Sequence, residues 1–83
     1  MKFTLYSRSY CHLCENMLHA LQAFGVPLPY TIDVVDVDAN PELVARYDEL
    51  VPVLMGQRNE MDAPVQLCHY FLDAAALDAF LRR

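Results

Sequence analysis

The stretch Cys11-His12-Leu13-Cys14 carries the clearest chemistry in the chain. Two thiols stand two residues apart, directly after an apolar strand-like run and directly before an amphipathic helix-like run. That placement puts the first thiol at a helix N-terminus, where free backbone N–H groups and the positive end of the dipole favour a thiolate. A thiolate attacks disulfides, and a second thiol one helical turn on is placed to close a ring with the first. Strand, CxxC and helix in that order form a redox pattern, far more specific than CxxC alone.

Three further side chains bear on that pair. Arg8 offers a cation for the Cys11 thiolate or a fork donor for a substrate carboxylate; the plain alternative is a solvated surface arginine. A protonated His12 would favour the thiolate further, against an exposed ring with no partner. His19 follows Glu15 by one turn, which reads as an ordinary surface pair. Cys68-His69, added to the motif, has the composition of a Cys₃His zinc site. In a sheet where one strand lies between the motif's strand and the last strand, two strand spacings would hold Cys68 roughly 10 Å from the motif, far beyond a ~2.3 Å Zn–S bond. No metal is therefore expected, and Cys68 reads as a small residue on an edge strand.

The elements that must position the thiols follow from periodicity. Phe3-Thr4-Leu5-Tyr6 is β-prone and uncharged, which suits a strand buried on both faces. Ser7-Arg8-Ser9-Tyr10 is the turn into the motif. From Cys14 onward, Met17, Leu18, Leu21 and Phe24 recur at helical spacing, with Glu15, His19 and Gln22 opposite. Gly25 and Pro27 stop that helix. Tyr30 to Val34 alternates as a half-buried or edge strand does. Asn40-Pro41-Glu42 is a helix start, with Leu43, Val44, Tyr47 and Leu50 as its buried stripe. Val51 to Met55 is a strand headed by Pro52. Gly56 to Pro64 is polar and turn-rich and reads as a loop. Val65 to Tyr70 is a last strand, and Asp73 caps a short helix that packs Leu77, Phe80 and Leu81 inward.

The 83 residues are expected to form one domain spanning 1–83, and the 55% hydrophobic content can build a core without disulfide staples. No run approaches the ~20 apolar residues of a membrane span, and the first residues carry no apolar leader. Cytoplasmic residence is the expectation, where three cysteines read as reactive thiols. The net charge of −5 argues against nucleic acid and anionic membranes as partners.

Leu5 to Cys14, with Tyr6-Ser7-Arg8 leading into the CxxC, resembles the glutaredoxin opening; Arg8 stands where that family has a lysine. Val51-Pro52 resembles the family's Val-cisPro after the second helix. The resemblance covers nearly the whole chain and is nearest the small bacterial glutaredoxin-like proteins. It implies a thioredoxin-like α/β fold in the order β-α-β-α-β-β-α, with a four-stranded mixed sheet ordered 2-1-3-4. It also implies Cys11 as nucleophile, Cys14 as resolving thiol, and a cis bond before Pro52 that sets the Val51 backbone against an extended substrate. Arg8, Tyr10, His12, Val51 and Pro52 form the expected substrate-binding set.

Two departures from the family pattern matter. Glutaredoxins anchor the γ-glutamyl group of glutathione with a Gly-Gly pair and an aspartate near the end of the last strand. Here Tyr70-Phe71 stands at that place, before Leu72-Asp73, and His12 replaces the proline of the motif. Close backbone approach by a ligand favours glycine, so weak glutathione recognition is expected and an iron–sulfur role, which needs that anchor, is disfavoured. The expectation is a thiol–disulfide oxidoreductase, without a cofactor and as a monomer, acting on a disulfide-containing protein or a small thiol. The alternative is a non-catalytic partner-binding module on the same fold.

Overall fold

The computed structural model describes residues 1–82. The elements run β1 (Lys2–Ser7), α1 (His12–Phe24), β2 (Thr31–Asp36), a 3₁₀ turn (Val37–Ala39), α2 (Pro41–Tyr47), β3 (Val53–Gln57), β4 (Val65–His69) and α3 (Ala74–Leu81). The strands form one sheet in the order β2-β1-β3-β4. β1 runs parallel to β2 and antiparallel to β3, and β4 is antiparallel to β3.

Both faces of the sheet are covered, so this is a three-layer arrangement. On one face Phe3 and Leu5 of β1 meet Met17 and Leu21 of α1, and Leu77 and Phe80 of α3. Burying side chains of this size contributes about 1.5–3 kcal/mol each. On the other face Val53 packs with Val37 and with Tyr47 of α2. Tyr6 stacks on Tyr47 with ring centroids 4.5 Å apart, fixing α2 against β1.

Local signals account for the helix limits. The side-chain oxygens of Asn40 and Asp73 accept from Glu42 N and Ala76 N and cap α2 and α3. Gly25 ends α1 at φ 77°, a left-handed position that glycine adopts without strain.

Several boundaries depart from the sequence reading. α2 ends at Tyr47, so Leu50 packs from a turn beyond the helix, where its N–H donates to Tyr47 O. β3 begins at Val53 because Val51 N–H is spent on Tyr47 O and Pro52 has none to give. Gly56 does not open a loop; it lies inside β3, buried under Phe80. β2 lies at the sheet edge, and Val34 on it is 55% exposed.

The register has one consequence for function. Ser7 lies opposite Asp36, Tyr6 opposite Val53, and Val53 opposite His69. The segments after β1, after β2, before β3 and after β4 therefore emerge at the same end of the sheet.

Candidate active site

Cys11 and Cys14 are joined by a disulfide, with Cα atoms 5.2 Å apart. Cys11 is the N-cap of α1, in an extended conformation with φ −103° and ψ 105°. Its Sγ accepts from the backbone N–H of Cys14 at 3.1 Å, and its carbonyl accepts from Glu15 N at 3.2 Å. A sulfur in the N-cap role replaces the usual oxygen acceptor, and the same N–H would hold a thiolate once the bond is reduced. The two sulfurs differ in access: Cys14 is 3% exposed, and Cys11 is half-buried at the surface. An attacking molecule reaches Cys11 first.

The remaining residues of the expected set fall as follows. His12 is the first residue of α1 and is exposed. Tyr10 projects fully into solvent with φ 59°, a left-handed conformation that bulky side chains rarely take. The Val51–Pro52 bond is cis. Pro52 is buried, and its carbonyl accepts from Tyr70 N at 2.9 Å. Val51 is half-buried, and its N–H is already paired with Tyr47 O. Only its carbonyl is left for an extended substrate.

Arg8 is a part-exposed surface side chain, and its fork is engaged by two carboxylates. Nε and Nη2 donate to the two oxygens of Asp38 at 3.2 and 3.0 Å, and Nη2 also donates to Asp48 Oδ1 at 2.6 Å. Nη1 reaches the Asp48 carbonyl at 3.5 Å. These two carboxylates push the guanidinium pKa further up, so it stays charged at any working pH.

Sequence reasoning missed Asp38, Asp48 and Glu49. Asp38 and Asp48 lie 30 and 40 residues from Arg8, and nothing local marks either as its partner. Glu49 contributes its carbonyl, which accepts from the Tyr70 hydroxyl. Tyr70 itself sits at φ 64° and lays its ring edge-on to His69 at 4.5 Å.

Cys68 lies on β4 opposite Leu54, which in turn lies opposite Leu5 of β1, two strands from the motif's own strand. Burial pushes its thiol pKa up. Among the described residues no group of three His, Cys, Asp or Glu side chains is arranged to hold a metal ion. No helix among them is long and apolar enough to cross a membrane.

The sheet order, the layering and the CxxC at the first helix define a thioredoxin-like protein, and the bonded cysteine pair fits a redox role. Within that class the chain belongs to the glutaredoxin-like domain family (DUF836), whose match spans residues 2–82. It is similar to the solution structure of protein Ne2328 from Nitrosomonas europaea, at 34% identity and a TM-score of 0.77, over 95% of this chain and 88% of that one. Protein XcR50 from X. campestris is 32% identical with a TM-score of 0.63, over 96% of this chain and 95% of that one. Thioredoxin 1 from Thermosipho africanus shares the fold at 20% identity and a TM-score of 0.62, over 99% and 96% of the two chains. No curated protein matches the chain significantly.

Proposed function

We propose that this protein is a thiol–disulfide oxidoreductase that acts on disulfides of proteins or small thiols and uses glutathione poorly. The observation that carries the reading is the bonded Cys11–Cys14 pair, with Cys11 as N-cap and the Cys14 N–H on its sulfur. In the reduced form the Cys11 thiolate attacks one sulfur of a substrate disulfide. A mixed disulfide forms, and the other substrate sulfur leaves as a thiolate that takes a proton. Cys14 then loses its proton and attacks Cys11 Sγ, releasing the second substrate thiolate. Two electrons pass from the dithiol to the substrate, and the Cys11–Cys14 bond is restored. A thiol reductant must then reopen it.

The glutathione clause rests on two side chains. By the resemblance, Tyr70 takes the place of the family's glycines, and its hydroxyl donates to Glu49 O. Asp73 Oδ1 accepts from Ala76 N at 3.0 Å as the cap of α3, so part of its acceptor capacity is engaged there. Each lost hydrogen bond to a charged ligand weakens binding by about 1.5–3 kcal/mol, or roughly tenfold or more.

The test is a Cys14→Ser variant offered an oxidised protein substrate and, separately, oxidised glutathione. A mixed disulfide at Cys11 that accumulates with the protein faster than with glutathione is the expected result. Absence of any adduct at a freely alkylated Cys11 would overturn the oxidoreductase reading and leave a partner-binding module. Equal trapping of glutathione would overturn only the glutathione clause.

A further inference from the structure

Arg8 is the one basic side chain in the loop that leads from β1 into the dithiol, and its charge is already answered. One guanidinium faces two carboxylates, Asp38 from the turn after β2 and Asp48 from the end of α2. The cluster is net negative. Arg8 and Cys11 are three residues apart, so their Cα atoms lie within about 11 Å, near the Debye length of about 10 Å at 0.1 M salt. A charge change in the cluster acts on the sulfur over about that distance and is weakened by salt. The geometry also ties three segments at the open end of the sheet: the dithiol loop, the connection into α2, and the stretch leading to Val51 and Pro52.

We propose that Arg8 is a positioning residue whose positive charge is cancelled by Asp38 and Asp48, so that the carboxylates and not the arginine set the electrostatic sign beside Cys11. The proposal rests on the thiol-exchange reading of Cys11 and says how that thiol is tuned. A free cation there would make Cys11 a stronger acid and the disulfide more oxidising; the cancelled one keeps the thiol less acidic and the pair more reducing. The other charged or titratable groups at this end of the molecule are Tyr10 before the motif, His12 and Glu15 on α1, Asp36 at the end of β2, Glu49 before β3, His69 at the end of β4, and Tyr70 and Asp73 after it. They are unchanged in every variant below.

The experiment compares reduced wild-type protein with Asp38→Asn, Asp48→Asn and Arg8→Gln. It measures the pH profile of Cys11 alkylation by peptide mass, and the reduction potential of the pair. Each carboxylate variant leaves Arg8 less neutralised. The Cys11 midpoint should move down, by about two- to tenfold in acid dissociation constant, and the potential should rise. Arg8→Gln leaves two carboxylates unanswered and should move both in the opposite direction. Loosening of the loop alone would move all three variants the same way. A shared direction, or no shift as large as twofold, overturns the assignment. Alkylation does not require turnover, so a protein that reduces no disulfide but shows the opposed shifts would overturn the oxidoreductase reading and uphold the role of Arg8.

Discussion

The Phe80 ring fills the space that a side chain on Gly56 would need. A β-carbon built on Gly56 would lie 2.8 Å from Phe80 Cζ, 2.9 Å from Cε2 and 3.0 Å from Leu67 Cδ1. Phe80 is 2% exposed and is itself packed on Phe3. The glycine lets α3 settle close on the centre of the sheet.

Gly56→Ala should therefore destabilise the fold. Reduced freedom of the unfolded chain would favour alanine by about 0.4–1 kcal/mol, but overpacking a tight core costs about 1–3 kcal/mol. The expected outcome is a lower denaturant midpoint at unchanged slope, with partial recovery when Phe80→Leu is added. A Gly56→Ala protein as stable as the wild type would contradict the close approach.

Tyr10→Gly should separate function from stability. Tyr10 is fully exposed at φ 59° beside Cys11, and glycine adopts that conformation without strain. The denaturant midpoint should not fall. Exchange with protein disulfides should slow by about two- to tenfold, the loss of an aromatic contact worth about 0.5–1.5 kcal/mol. Unchanged exchange would show that the ring meets no substrate.

Tyr70 offers the matching test on the other wall. Its N–H holds Pro52 O and its hydroxyl holds Glu49 O. Tyr70→Phe removes one hydrogen bond and should cost about 0.5–1.5 kcal/mol of stability. Tyr70→Gly keeps the left-handed backbone and clears the ring, so glutathione-dependent turnover should increase relative to turnover with a protein disulfide. If that ratio falls or stays the same, the ring is not the obstacle.

Cys68 predicts an alkaline limb in stability. Burial raises its thiol pKa in the folded state, whereas the unfolded thiol titrates near about 8.5. The unfolded chain then releases its proton first. The contribution is fully present below that pH and is lost as pH rises toward the higher folded value. Thermal melts of the reduced protein from pH 7 to 10 should fall more steeply than those of Cys68→Ala. Parallel curves would dismiss the contribution.

What the sequence determined by itself is the part that depends on neighbours along the chain. The spacing of Cys11 and Cys14 after an apolar run set the dithiol at a helix start. Asn40 and Asp73 announced their helices because a cap acts on N–H groups two or three residues away. The order of elements followed from their periods, and with it a sheet whose central strand delivers the motif. Tertiary structure alone decided what crosses between segments. Arg8 could be seen as a charge near the thiols, but only the register of β1 beside β2 and β3 brings Asp38 and Asp48 onto it. Gly56 looked like a loop residue because the ring that requires it lies on a helix 24 positions later. The walls of the site, Tyr70 against Glu49 and Pro52, are likewise pairs of distant segments. Local propensity has no term for such contacts, and only the closed sheet brings them within hydrogen-bonding reach.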